Sequence, residues 1–321
     1  MKKMAFVFSF GWVLVTGVAQ ASNPQLVKLG KHLYFDPRLS KDNTVSCNTC
    51  HDITNKKGGV DGLPTSVGIN KQIGGRNAPT VWNATFLSVQ FWDGRANSLA
   101  EQAKGPIVNP IEMGMPSHEM VISKIGQLQG YKKLFKEAFP KDKQPVNIDN
   151  LAGAIAAFES TLVTLNSPFD DYSKGKKSAL SLQARRGYDK FNSLGCVSCH
   201  SGDHFAGPKL SAGTGFYMKF PTYPGSQYDK KYDLLTDTGR FMETKKDQDK
   251  HMWRVPTLRN IALTAPYFHN GKVKTLSEAV RVMGKTQLNK DLSQQDVDDL
   301  VVFLNSLTGK LPAIKPPKNL N

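Results

Sequence analysis

The four cysteines of this 321-residue chain fall in two clusters of one pattern, Cys47-Asn48-Thr49-Cys50-His51 and Cys196-Val197-Ser198-Cys199-His200. That pattern limits what can be built around them. A disulfide framework would use four thiols as two bridges, but it has no reason to place a His directly after each pair. A zinc site shares the cysteine spacing, yet it needs no His at the next position, and the two clusters stand much further apart than in a zinc ribbon. C-x-x-C-H is what covalent attachment of a c-type haem requires: two thiols add to the two vinyl groups, and the adjacent imidazole reaches the iron from one side. With no cysteine left over, the chain is predicted to carry two haems. Cys47, Cys50 and His51 would hold one, and Cys196, Cys199 and His200 the other.

The first residues do not read as fold. Lys2 and Lys3 precede an apolar stretch from Met4 to Ala19, and Ala19-Gln20-Ala21 supplies a small-x-small cleavage pattern, so residues 1–21 are expected to be a secretory signal peptide. Ser9, Gly11, Thr16 and Gly17 interrupt the stretch, which is shorter than the ~20 apolar residues of a spanning helix. A periplasmic protein with no membrane span after signal cleavage is the expectation. Lys and Arg exceed Asp and Glu by 42 to 27, yet only 21% of residues are charged and 39% are hydrophobic, a globular composition rather than a disordered polycation. The basic excess is scattered and accompanies no nucleic-acid-binding motif, so no nucleic acid partner is expected. A basic face that steers an acidic redox partner suits it better.

At about 150 residues per domain the length allows two domains, as many as there are clusters, and the flanking sequence repeats too. Gly30 is followed by Tyr34 and Phe35, and Gly187 by Tyr188 and Phe191, each in a helix-compatible segment leading into its cluster. Each half closes on an amphipathic helix, marked by Leu151, Ala154, Ile155, Phe158 and Leu162 in the first and by Val297, Leu300, Val301, Leu304 and Leu307 in the second. Ser293 with Asp296 three residues on is a capping box for the latter, and Gly309 stands past its end. Loop-rich chain, 56–79 and 202–239, lies between, and wrapping a haem is a use for loops of that length. The reading is a mostly α protein of two class-I cytochrome c-like domains, each with one covalently bound c-type haem. The N-terminal domain is 22–166, the C-terminal domain 167–310, and the tail 311–321 an extended strap or a disordered end.

Function then depends on the sixth position of each iron. A Met ligand raises the potential and closes the iron for electron transfer, whereas an open position admits an oxidant. Met283, between the second cluster and the last helix, is the candidate there, with Met218, Met242 and Met252 as rivals. No Met or His follows the first cluster so closely; Met113, Met115 and His118 lie well downstream, near Trp92, Gln102 and Glu112. A carboxylate such as Glu112 beside an open haem can take a proton from one peroxide oxygen and deliver it to the other, so that O–O cleavage releases water. Taken alone, Glu112 reads first as an ordinary surface carboxylate.

Five longer runs carry a resemblance: Ser46 through His51, Gly59-Val60-Asp61-Gly62-Leu63-Pro64-Thr65-Ser66, Gln90-Phe91-Trp92-Asp93-Gly94-Arg95-Ala96, Leu99-Ala100-Glu101-Gln102-Ala103-Lys104-Gly105-Pro106, and Leu263-Thr264-Ala265-Pro266-Tyr267-Phe268-His269. With them the chain resembles the bacterial di-haem cytochrome c peroxidases, from about Leu29 to Pro312. The resemblance implies reduction of hydrogen peroxide to water with two electrons from a small soluble cytochrome c or cupredoxin. It implies that the haem on His51 is the low-potential peroxidatic one and that the haem on His200 and Met283 receives the electrons. Trp92 would lie between the haems and help electrons cross, Glu112 and Gln102 would line the peroxide pocket, and an inter-domain calcium would map to Asn77, Thr264 and Pro266. The family commonly forms homodimers, so a homodimer is expected as well.

One departure bears on mechanism. In many relatives a His shortly after the Leu-Pro-Thr-Ser run ligates the oxidised peroxidatic haem and must leave on activation. Here Ile69 stands at that place, and an Ile cannot ligate iron. The sequence therefore implies a first haem that is open even when oxidised, unless a loop shift brings in His118, Met113, Met115 or Lys71. Two other functions stand beside the peroxidase: a non-enzymatic di-haem electron-transfer cytochrome, and a di-haem enzyme that oxidises protein side chains. Relatives of the last kind have a Tyr where this chain has Met283.

Overall fold

The structure is a computed structural model that describes residues 23–54, 58–318 and 320. The expected signal peptide lies outside the described residues. Helix α1 (Pro24–Phe35) starts at Asn23, whose side chain accepts the amide of Gln25, with Pro24 at the first helical position, where a missing N–H costs nothing. The turn Cys47–Cys50 (α2) follows, then α3 (Leu99–Val108), α4 (His118–Gly126), α5 (Gln129–Ala138) and α6 (Ile148–Glu159). The second half contributes α7 (Pro168–Ser173), α8 (Leu182–Ser193), α9 (Gln227–Lys231), α10 (Phe241–Thr244), α11 (Leu276–Leu288) and α12 (Gln294–Asn305). Among the described residues the one sheet is a two-stranded antiparallel ribbon, β1 (Tyr217–Lys219) against β2 (Met252–Arg254), with Tyr217 opposite Arg254. The molecule is mostly helical, as its periodicity requires.

Two helix pairs organise the halves, α1 on α6 and α8 on α12. Each crosses at a glycine. A Cβ on Gly30 would lie 1.8 Å from the Ala154 carbonyl oxygen and 2.9 Å from the Phe158 Cβ; one on Gly187 would lie 2.0 Å from the Asp299 oxygen and 2.8 Å from the Phe303 Cβ. Only a residue without a side chain lets the backbones meet this closely. Tyr34 and Phe191, each four residues after its glycine, are buried one turn on. The closing helices end near their predicted limits. The Ser293 hydroxyl donates to Asp296 at 2.6 Å and accepts its amide at 3.1 Å, while Leu162 and Leu307 lie just past the ends of α6 and α12, both buried.

The apolar interior differs between the halves. In the first, one continuous cluster holds Leu29, Leu33, Tyr34, Trp82, Ile107, Ile155 and Phe158, together with Ile69, Met113 and Met115. In the second, the core is split. One cluster is built on Phe191, Phe205, Leu300 and Phe303, the other on Phe220, Trp253, Tyr267, Val273 and Val282, and Ile261 and Leu276 touch both. The tail is a strap: Leu311, Ile314 and Leu320 pack on the first-half core, and Arg38 donates to the Leu320 carbonyl at 2.8 Å. No helix of the described residues is long and apolar enough to cross a membrane.

Candidate functional site

Each C-x-x-C-H cluster closes as a tight turn, with the amides of His51 and His200 donating to the carbonyls of Cys47 and Cys196, both at 3.0 Å. The turn brings each ring to a carbonyl: His51 Nδ1 lies 2.9 Å from Pro79 O, and His200 Nδ1 lies 3.1 Å from Phe205 O. A carbonyl oxygen only accepts, so in each ring the proton sits on Nδ1 and the Nε2 lone pair is free for a metal. Burial lowers the pKa of both rings and keeps them neutral, as a ligand must be. All four cysteines are unpaired. Burial pushes the Cys50 and Cys196 thiols up to about 11 and raises Cys47 and Cys199 as well.

The remaining buried donors suit a group that brings its own carboxylates. Trp82 Nε1, Trp253 Nε1 and His269 Nε2 have no hydrogen-bond partner among the described residues. Arg254, 5% exposed, donates to the carbonyls of Phe91 at 3.0 Å and Val255 at 3.2 Å and has no carboxylate within ion-pair distance among the described residues. Burial lowers its pKa to about 10, yet it remains a cation. A buried cation and buried N–H groups left without acceptors cost several kcal/mol in an ordinary core. A haem carries two propionates, and the donor set fits them. Among the described residues no cluster of three His, Cys, Asp or Glu side chains is placed to hold a bare metal ion.

Glu112 sits on the turn that follows α3. Its amide donates to Asn109 O at 3.1 Å, its Oε1 accepts from Asn109 Nδ2 at 3.0 Å, and its carbonyl accepts the amide of Ile69 at 2.9 Å. Burial raises its pKa above the ordinary glutamate value, against the pull of Arg95, and its charge in turn acts on Cys50 of the first cluster. Gln102 lies on α3, one turn before Pro106, whose carbonyl accepts the amide of Met113 at 3.2 Å. The helix that bears Gln102 and the turn that bears Glu112 therefore run side by side.

Ile69 is 3% exposed and belongs to the first core. It fits a notch at Gly114, where a Cβ would lie 2.0 Å from Ile69 Cδ1 and where φ is +63°. Of the substitutes for the absent His, Met113 and Met115 are buried in the same core and Lys71 is exposed. The His118 Nε2 is 3.0 Å from the Lys104 carbonyl, joining α4 to α3.

Trp92 comes from the first half and packs against the second-half cluster that also receives Met283 of α11. Its Nε1 donates to Asn77 O at 2.8 Å, and its carbonyl accepts the amide of Arg254 at 2.9 Å. The next residue, Asp93, is fully buried between Arg76 and Arg95, at 2.5 and 2.8 Å, and Arg76 also holds Asp237 at 2.7 Å. Two arginines thus pin the Trp92 segment across the halves. Met218 and Met252 lie on the β-ribbon and Met242 is exposed on α10. Asn77 meets the 263–269 segment through its amide, which donates to His269 O at 2.7 Å, while its Nδ2 donates to the carbonyls of Leu63 and Pro64. Thr264 bonds to Ile261 of its own turn. The contacts thus join Asn77 to His269, and none joins it to Thr264 or Pro266.

Sequence reasoning did not single out Asn109, Arg254, Asp93 or Trp253. The first is an unremarkable Asn at a helix end, and the other three acquire meaning only when the halves meet. His269, which closes the 263–269 run, is 2% exposed, stacks on Trp253 at 4.2 Å between centroids, and burial lowers its pKa to about 4.

Comparison with known proteins agrees with this geometry. Residues 24–178 match the model of the family described as di-haem cytochrome c peroxidase. The chain is 46% identical to cytochrome c551 peroxidase of Pseudomonas aeruginosa over 93% of its own length and 83% of that protein, and 42% identical to cytochrome c551 peroxidase of Nitrosomonas europaea over 92% and 85%. Among solved structures it superposes on a MauG-like protein associated with microbial copper homeostasis with a TM-score of 0.78 at 26% identity, covering 94% of this chain and 96% of that one. The family match and identities of 42–46% over more than nine-tenths of its length place the chain in the di-haem cytochrome c peroxidase family.

Proposed function

We propose that this chain reduces hydrogen peroxide to two waters, drawing two electrons from a small soluble cytochrome c or cupredoxin. The observation that carries the reading is an asymmetry. On the first-cluster side stands a carboxyl whose pKa burial raises, Glu112, which makes it a stronger base than an ordinary glutamate. On the second-half cluster stands a thioether, Met283. The two c-type haems supported by the family would be held by Cys47, Cys50 and His51 and by Cys196, Cys199, His200 and Met283, in domains divided between 166 and 167. Each haem, when bound, would supply an iron able to exchange single electrons, and the one held by His51 would supply the site for peroxide.

The rest is the work of this chain's residues. His51 and His200 are fixed by Pro79 and Phe205 with Nε2 presented. Glu112 takes the proton from the peroxide oxygen nearest the iron and returns it to the far one, which leaves as water. Gln102 orients the peroxide from α3. Trp92, seated by Asn77 and Arg254 on the second-half cluster, lies on the route by which electrons cross. The Ile69–Gly114 contact supports a first haem that needs no ligand removed, so prior reduction is not required for peroxide binding. A calcium held by Asn77, Thr264 and Pro266 through oxygen atoms, a periplasmic location after loss of residues 1–21, and a homodimer complete the proposal.

Purified holoprotein mixed with a reduced small cytochrome and peroxide tests it, the expected result being two cytochromes oxidised per peroxide. No oxidation would point to a di-haem electron shuttle. Oxidation of a protein substrate's side chains in place of the cytochrome would point to the side-chain oxidising relatives, whose Tyr is here Met283.

A further inference from the structure

Asn109 caps the end of α3, where its amide donates to the Gly105 carbonyl at 3.1 Å, and its other polar groups are all engaged in the turn that follows. Its carbonyl accepts the amides of Glu112 at 3.1 Å and Gly114 at 2.8 Å, its Oδ1 accepts the amide of Ile111 at 3.0 Å, and its Nδ2 donates to Glu112 Oε1 at 3.0 Å. The orientation of the amide is not free. A backbone N–H can only donate, so the atom facing Ile111 is the oxygen and the atom facing Glu112 is the nitrogen.

We propose that Asn109 is the positioning residue for Glu112, holding Oε1 as a permanent acceptor so that Oε2 alone takes up and delivers the peroxide proton. The inference rests on the proton-transfer role proposed for Glu112. Its chemistry balances within one carboxyl group. When Glu112 is ionised, Nδ2–H stabilises the charge at Oε1, and Oε2 is left to accept the proton. When Glu112 is neutral, the oxygen facing an N–H donor must be the C=O oxygen, so the acid proton sits on Oε2, ready for the leaving oxygen. The amide of Ile69 on the Glu112 carbonyl fixes the main chain in the same position. Arg95 is the other charged group that acts on this carboxyl, and it favours the ionised form.

The test is the pH dependence of the bimolecular reaction of peroxide with the holoprotein, in wild type, Asn109→Asp and Asn109→Ala. Asn109→Asp is isosteric and keeps the acceptor for Ile111 while exchanging the donor for a negative charge. The account expects the acid limb of the profile to move up by about one unit or more in Asn109→Asp and by about half a unit in Asn109→Ala, because both remove a donor to the ionised form and the first adds a like charge. An infrared pH titration of the Glu112 carboxyl band, identified by its loss in Glu112→Gln, should shift upward in step and does not depend on turnover. A limb and a band that stay in place in both variants, with only the plateau rate lowered, would overturn the assignment. Failure of the underlying reading looks different: Glu112→Gln would then react with peroxide as fast as wild type.

Discussion

The amide of Ile69 donates to the carbonyl of Glu112 at 2.9 Å, and the Ile69 side chain fills the notch over Gly114. The residue standing where the resemblance expects a removable His ligand is thus built into the support of the proposed proton carrier. The ferric holoprotein is expected to show one low-spin haem and one high-spin haem. Ile69→His should convert the second signal to low-spin and make peroxide turnover depend on prior reduction. Absorption and electron paramagnetic resonance spectra decide, and two low-spin haems in the wild type would contradict the open site.

The raised pKa of Glu112 predicts a pH dependence with a definite sign. The ionised form accepts the proton, so the rate of peroxide reaction falls as pH falls through the Glu112 pKa. That limb should lie above the ordinary glutamate value of about 4.3. Stopped-flow rates from acid to neutral pH check this, and a limb at or below the ordinary value would mean that burial does not act on this group.

Glu159 offers a prediction about stability. It ends α6 buried, its Oε2 has no hydrogen-bond partner among the described residues, and burial pushes its pKa up to about 8. Between the unfolded pKa near 4.3 and that value the unfolded chain has lost this proton and the folded chain keeps it, so this group lowers stability as pH rises through the window. Glu159→Gln removes the effect. The variant should be more stable than wild type at pH 7, by on the order of 2 kcal/mol, with the difference vanishing near pH 4. Denaturant melts of the holoproteins at several pH values measure it.

The glycine crossings predict a contrast within one substitution type. Gly187→Ala drives a methyl to within 2.0 Å of the Asp299 oxygen and should destabilise by about 1–3 kcal/mol. Gly153→Ala, on α6 with nothing within 4 Å of the new carbon, should stabilise by up to about 1 kcal/mol. Chemical denaturation of both variants reads the difference directly.

What the sequence made legible were features with local causes. Two cysteine clusters set two turns; Gly30 with Tyr34 and Gly187 with Phe191 marked the two helix pairs; Ser293 with Asp296 marked a helix start. A strap was one of the two readings of the tail, but the surface that Leu311, Ile314 and Leu320 cover was not legible, because that surface belongs to the first half of the chain. The same holds for the Asp93 cage of Arg76 and Arg95 and for Trp253 stacked on His269. Asn109 escaped notice for a subtler reason. Its importance lies in which of its two amide atoms faces Glu112, and that is fixed by the amide two residues along the turn, at Ile111, rather than by any pattern of residue types.

The account turns on Glu112. Peroxide reduction by the holoprotein, followed with a reduced small cytochrome at neutral pH in wild type and Glu112→Gln, tests it most directly. Loss of a general acid–base residue is expected to cost about 10²–10⁴-fold in the peroxide reaction, with both haems still attached and the ferric spectrum little changed. A Glu112→Gln enzyme that turns over at the wild-type rate would contradict the claim that this carboxyl carries the proton.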